Sequence, residues 1–519
     1  LILTVKQQIT DDKQGVSWKS ISVTDDPGNR AAGISSGFTT TTDDPGSRFQ
    51  APADGVYRIL VKDQFGTSGS KLPSAYWISV RQAKPDFRVV CQPVYGRPAN
   101  GNQILASALT LRRGGRTHVN FNIEKIDGFD SPVTVTSEDL PAGVHCQPIT
   151  ISKNQSSGDL VFHAKEDAPT GRSIVKVFGK SVVGGKEVKR TAFYASVTWG
   201  TANKGQTPAY FRRTTDLELS VMPHEVAAVT VQAGSEQVFK TSLGGKIQLP
   251  IKLTRRLNYT EPLKLVARNL PGQIKPKDIT IAKDKNDGTV EIFVKDKNTP
   301  IGTYAFCFKG DAKFKYSRNP EAALLAETEH KRLDALHKET TEKKKLLAPN
   351  VGKDAQAKEQ SIALEAKLKL IDAARKAAKS QMDNLKKQSA AKDLFYMAVS
   401  NPVILTVVPS PIEILPVEAK PGVAKSQWSQ IIKIQRNFGF ADAITLNAKG
   451  PKGFGFKPVT LPKDATEIPL GIEIQENCPV GEHSIEIAAT AKFNGVDVAS
   501  KIKFNLKITA KPDAAGVSQ

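Results

Sequence analysis

Gly302-Thr303-Tyr304-Ala305-Phe306-Cys307-Phe308 opens a strand that runs on through Phe314-Lys315-Tyr316. Where a hairpin turn is due, the chain enters a long, charged, helix-forming segment and resumes strand character only at Leu394-Phe395-Tyr396. The expectation of a turn comes from two related segments, Gly171-Arg172 to Val177-Phe178 and Gly481-Glu482 to Ile487-Ala488. A proline stands just ahead of each copy: Pro169, Pro300 and Pro479. The first copy turns at Gly184-Gly185 and the third at Asn494-Gly495. Such dipeptides supply the positive φ that tight hairpins need. The helices of the middle copy therefore replace a hairpin tip.

Other landmarks recur in the same order. His118 to Ile123 alternates with Val119, Phe121 and Ile123 on one face, and is followed by Leu140-Pro141, Ile149-Thr150-Ile151 and Leu160-Val161-Phe162. The second copy answers with Ile247 to Ile251, Leu270-Pro271, Ile279-Thr280-Ile281 and Val290 to Val294. The third gives Ile431 to Ile434, Gly450-Pro451 and Ile472-Glu473-Ile474. One all-β unit repeated in tandem explains the shared order. The fold class is mainly β: tandem β-sandwiches of jelly-roll or immunoglobulin-like type, with an antiparallel coiled-coil hairpin inserted in the middle repeat. The boundaries read as 1–83, 84–222, 223–408 with the insertion at 319–392, 409–510, and a tail at 511–519. Leu217 to Pro223 and Ile404 to Pro411 read as stiff, extended connectors.

Asn319-Pro320-Glu321 has the cap, the first-turn proline and the acid of a helix start. Ala322, Ala326, Leu333, Leu336 and Leu347 form its seam, with Glu329 and Lys343 as polar interruptions. A second helix begins near Asp354 with a cleaner seam, including Ala357, Leu364, Leu368, Ile371, Ala378 and Leu385. Such a seam buries little area, so the hairpin is marginal alone and suits a binding arm or a spacer. Lys343-Lys344-Lys345 near its tip would face an anionic partner, or else form a solvated face.

A chain of 519 residues needs several cores. The formal charge of +21 favours anionic partners, such as an acidic polysaccharide or a cell-surface component. No dense basic block with interleaved aromatics argues for nucleic acid. No apolar run approaches the ~20 residues of a membrane span. The opening Leu1-Ile2-Leu3-Thr4-Val5 reads as a strand already inside a fold, so the chain is expected to be a piece or a processed product.

In the first unit, Phe49 is followed by Asp54-Gly55-Val56-Tyr57, then Ile59 and Val61, with Tyr76, Ile78 and Val80 as a closing strand. This stretch resembles the bacterial pre-peptidase C-terminal domain, over about the first sixth of the chain. The resemblance implies a small β-sandwich, export from the cell and an accessory role beside secreted hydrolases or in large surface proteins. An extracellular, cell-surface or periplasmic location follows as an expectation.

The histidines show no metal-ligand spacing, and there is no nucleophile elbow or P-loop. Cys91 and Cys146 could pair or stay free thiols. Calcium is the one cofactor suggested: Asp25, Asp26, Asp43 and Asp44 lie in two Asp-Asp-Pro-Gly turns whose carboxylates could converge on a hard cation. The competing reading is aspartate favoured in turns for its own backbone hydrogen bonds. The functional expectation is a non-catalytic scaffold or adhesion segment whose helical arm binds a partner. The alternatives are the accessory region of a larger secreted hydrolase, with a protease domain upstream, and a periplasmic assembly factor.

Overall fold

The structure, a computed structural model, describes residues 2–11, 15–25, 45–62, 77–93, 105–106, 108–199, 210–234 and 238–510. Strands dominate, and two long helices interrupt them. The chain divides into two compact units, Leu1–Asp311 with Met397–Gln519, and Ala312–Tyr396.

Three segments of the first unit share one sheet order. In the first it is Ile149–Ile151, Val133–Glu138, Gly171–Val183, Leu217–Val226, Leu109–Arg113. In the second it is Ile279–Ile281, Leu263–Arg268, Gly302–Tyr316, Val403–Val408, Phe239–Ser242. In the third it is Val459–Leu461, Ile444–Lys449, Gly481–Phe493, Val496–Thr509, Gly422–Val423. The last pair is parallel every time. A second sheet, centred on Arg116–Ile126, Lys246–Arg255 or Ser426–Arg436, faces the first. The two layers share one core: Phe121 and Phe162 with Val177 and Leu219 in the first segment, Trp428 and Ile472 with Ile487 and Leu506 in the third.

The turns carry the repeat further than the sequence reading took it. Gly184-Gly185 and Asn494-Gly495 have the positive φ their hairpins require. After each central strand the backbone again turns left-handed, at Asp127-Gly128, Leu257-Asn258 and Phe438-Gly439. A non-glycine residue there costs about 1–2 kcal/mol. What offsets it is the next residue, a buried ring each time: Phe129, Tyr259 and Phe440. In two copies an arginine sits over that ring, Arg255 at 5.1 Å and Arg436 at 5.4 Å, and also donates to nearby carbonyls.

Two expectations are corrected. The segments read as connectors are sheet strands, Leu217–Val226 and Val403–Val408, each hydrogen-bonded on both sides. Pro223 lies within its strand, where the register shifts between Val221 and Val226, and Pro409 and Pro411 follow theirs. In the first unit of the sequence, Trp77 to Val80 forms no strand, and Trp77 is 92% exposed. Its described sheet has three strands, Gly15–Thr24, Ile2–Asp11 and Tyr57–Lys62, and Val5 is the one fully buried apolar side chain described there. No second described layer exists against which Ile78 and Val80 could bury.

Within the unit Ala312–Tyr396, helix α1 spans Pro320–Leu347 and α2 spans Ala355–Ser389, joined through a 3-10 turn at Ala348–Asn350. Asn319 caps α1 by accepting from the Ala322 N–H, and Asp354 caps α2 by accepting from Gln356. At ~1.5 Å per residue they are about 42 and 52 Å long. Cross-helix ion pairs run in opposite senses: Glu327–Lys386 3.0 Å, Asp334–Arg375 3.6 Å, Lys344–Glu365 3.1 Å. The two helices are thus antiparallel neighbours. Among the described residues, no helix is long and apolar enough to cross a membrane.

Candidate functional site: a sealed ion pair and the paired helices

On the strands Arg116–Ile126 and Ser157–Ala164 the core takes Val119, Phe121, Leu160 and Phe162. His118, Asn120 and Asp159 therefore point to the other face, which in an isolated sheet would be wet. Here Asp159 is 4% exposed and His118 2%. What covers them is the middle segment. Its Gly302–Tyr316 strand is buried on both faces: Tyr304, Phe306 and Phe308 on one, Ala305 and Cys307 on the other. Ala305 joins the first segment's core, and Cys307 packs with Val161 and Val399.

At this joint the Lys309 ammonium donates to the Asp159 carboxylate at 2.8 Å and to His118 Nε2 at 2.8 Å. Because Nε2 accepts, the imidazole proton sits on Nδ1. Asn269 Nδ2 donates to Asp159 at 2.5 Å, Asn120 Nδ2 also donates to it, and the Cys307 thiol lies 3.4 Å away. Asn269 holds a left-handed conformation, φ 72, which aims its amide at Asp159. Burial alone would raise the Asp159 carboxyl, but the neighbouring positive charge and donated hydrogen bonds outweigh it and hold it below the ordinary range. Burial first, then the Lys309 charge, pushes His118 down to about 4, so it is neutral at neutral pH. Burial and the Asp159 charge push the Cys307 thiol far up, so it remains a thiol. The cluster holds one negative and one positive charge, and both carboxylate oxygens of Asp159 accept hydrogen bonds. That is the arrangement of a lock between two segments, since a buried pair is tolerated only when well hydrogen-bonded.

Polar contacts ring the lock. Arg116 donates to the Val231 carbonyl at 2.6 Å and to Gln232 at 2.9 Å. Arg256 pairs with Glu166 and donates to Thr230. Gln155 donates to the Asn269 carbonyl at 2.9 Å. A second joint binds the last segment: Asn494, at its hairpin tip, donates to the Gly244 carbonyl at 2.8 Å. Gly244 has φ +75, and a Cβ there would stand 2.4 Å from the Phe493 carbonyl oxygen. Gly244→Ala is therefore expected to cost about 1–3 kcal/mol through strain and collision. Thermal unfolding with a tryptophan probe at Trp428 would read the loosened last segment.

The residues singled out from sequence fall as follows. Asp25 is exposed at a strand end, and Asp26, Asp43 and Asp44 lie outside the described residues. Lys343, Lys344 and Lys345 occupy the last turns of α1, and each meets a glutamate: Glu339 at 2.6 Å, Glu365 at 3.1 Å and Glu342 at 2.8 Å. They pair across and along the helices rather than standing open as a cationic cluster. All four cysteines are free thiols. Cys91 and Cys146 sit on strands with two others between them, and burial pushes the Cys146 thiol up to about 12.

On α1 the seam residues named from sequence, Ala322, Ala326, Leu333, Leu336 and Leu347, are all buried or half-buried. Beside them Ala323, His330, His337, Thr340 and Lys344 are also buried or half-buried, so the seam contains polar side chains as well. Glu329 and Lys343 are exposed. His337 enters the seam because Asp372 of α2 meets it at 3.2 Å, and Lys344 because Glu365 does. On α2 the seam residues named from sequence do line the inner row, with Arg375 added.

The Asp159 lock was missed because polar residues opposite an apolar face look like a solvated surface. One signal was present: Tyr304-Ala305-Phe306-Cys307-Phe308 is apolar without alternation, the mark of a strand covered on both sides. No protein-family model matches the chain, and neither does any curated protein.

Proposed function

We propose that this chain is a non-catalytic scaffold or adhesion segment, working outside the cell or at its surface. Its immunoglobulin-like sandwiches hold a coiled-coil arm that binds a protein partner or an anionic surface component. The observation that supports this most is the place of the helices. They stand where the first and third segments have a two-residue turn, in a sheet whose neighbours are otherwise the same. An exposed hairpin tip is where a fold accepts an added recognition element at least cost. The joints on either side are pinned, which suits a part that transmits or resists force.

The test is excision. Ser317 to Ala391 is replaced by Asn-Gly, the turn used at Asn494-Gly495. Binding of both chains to immobilised acidic polysaccharide and lipopolysaccharide is then measured across a salt series. The expected result is binding that survives ~0.15 M salt, where charges are screened beyond about 8 Å, and disappears with the excision. Equal binding by the excised chain would remove the arm from the function.

A second reading has its own support. The Asp54-Gly55-Val56-Tyr57 motif closes on itself, with Tyr57 donating to the Ala53 carbonyl at 2.5 Å and its ring 5.9 Å from Phe49. We keep the pre-peptidase resemblance, and with it an accessory role beside a secreted hydrolase, as the alternative. Calcium at the Asp-Asp-Pro-Gly turns belongs to this reading. It is tested by calcium titration of the chain, where a raised melting temperature is the supporting result and an unchanged one removes the site.

A further inference from the structure

The outer face of α2, turned away from α1, carries a second apolar row. Ile362, Ala366, Leu370, Ala373 and Ala377 follow at spacings of four, four, three and four, which places them on one face of a helix. All five are exposed, Ile362 at 62% and Leu370 at 74%. The inner row, from Ala357 through Ile371 to Leu385, is already used against α1. Stability of the helix pair therefore gives no reason for this second row.

A row of cations runs beside it. Lys358, Lys369, Lys376 and Lys387 are eleven, seven and eleven residues apart, so they too share one flank. Among the described residues, none of the four has a carboxylate within ion-pair distance. On α1 four of the five lysines, Lys331, Lys343, Lys344 and Lys345, each have one. Of the two helices only this one carries excess charge: α2 has eight basic and four acidic residues, whereas α1 has six of each.

From this face we infer that α2 docks one amphipathic helix of an acidic partner protein, completing a three-helix bundle. The inference rests on the arm being a binding element and adds where it binds and what. The three–four spacing is that of a helix-on-helix seam. The alanines let a partner axis approach to the near end of the 8–10 Å packing range. The unpaired lysine row calls for glutamates or aspartates beside the partner's apolar stripe. A second copy of α2 would set like charges against each other. A membrane surface is a poorer match, because α2 has no Trp, Tyr or Phe to seat at the lipid interface.

The experiment uses the full chain and a designed peptide of about three heptads, with Leu and Ala in its seam and Glu on its flanks. Titration calorimetry is run with this peptide, with a scrambled peptide of the same composition, and with phosphatidylglycerol vesicles. Binding of the designed peptide alone is expected. It should weaken about tenfold or more in Ile362→Glu/Leu370→Glu and in Lys369→Glu/Lys376→Glu. A peptide with Lys flanks should restore binding to the second variant. All four sites are exposed, so helical circular dichroism should not change. Binding indifferent to the Ile362 and Leu370 changes, equal binding of the scrambled peptide, or preference for vesicles would each overturn the inference. Any of these leaves the arm reading standing, because that reading is decided by excision.

Discussion

Lys309→Met is expected to destabilise the chain by about 3–5 kcal/mol, among the largest effects any single substitution should have here. Methionine preserves the length and the apolar stem of Lys309 but removes the ammonium. Asp159 then keeps its bonds from Asn120 and Asn269 but loses the one charge that balances it. Either it stays ionised without a counter-ion or it takes up a proton that the native state excludes. Both cost energy because Asp159 itself is buried. The double change Asp159→Asn/Lys309→Met should cost well under the sum of its parts, since it removes both charges together. Urea unfolding of the four chains would measure this coupling. An exposed pair gives the contrast: Lys331→Ala, facing Glu327 on α1, should fall within about 1 kcal/mol. If Lys309→Met also lost no more than that, the joint would not be a lock.

Acid should open the same joint. His118 in the folded chain takes a proton only near pH 4, whereas the unfolded chain takes one near the ordinary 6.5. Between those values the unfolded state binds more protons, so stability falls as pH falls. The loss from His118 begins below about pH 6.5, is complete near pH 4, and is on the order of 3 kcal/mol. His163, pushed down to about 4 by burial and then by the Arg116 charge, acts in the same direction. Asp159, held below its ordinary range, adds its own loss at still lower pH. In His118→Gln a side-chain oxygen can still accept from Lys309, and nothing titrates there. Its stability should be flatter than that of the parent between pH 6.5 and 4. Parallel pH profiles for the two chains would contradict the assignment.

What the sequence disclosed and what it withheld divide by range. Gly184-Gly185, Asn494-Gly495, the Asn319 and Asp354 caps and the interrupted strand at Phe314 are local instructions, readable because backbone conformation is set within a few residues. The strand expected at Trp77 to Val80 shows the limit: local alternation does not make a strand without a layer to cover. The polar members of the α1 seam stayed hidden for a related reason. His330, His337 and Lys344 look like surface residues until α2 presents Asp372 and Glu365 to two of them. The Asp159 lock needed the longest reach, since its partners at Lys309 and Asn269 come from another repeat. The recurring left-handed turn before Phe129, Tyr259 and Phe440 was legible in principle. It was hidden because Asp-Gly, Leu-Asn and Phe-Gly share a conformation without sharing residues.

The helices occupy a hairpin tip of an otherwise complete repeat, so they should be removable without unfolding it. Residue-resolved hydrogen exchange on the excised chain, with Asn-Gly in place of Ser317 to Ala391, tests this most directly. The expected result is unchanged protection of Tyr304, Phe306 and Phe308 and of their partner strand Val403–Val408. Loss of protection through both strands, with the first and last segments still protected, would show instead that the helices are part of the middle repeat's fold.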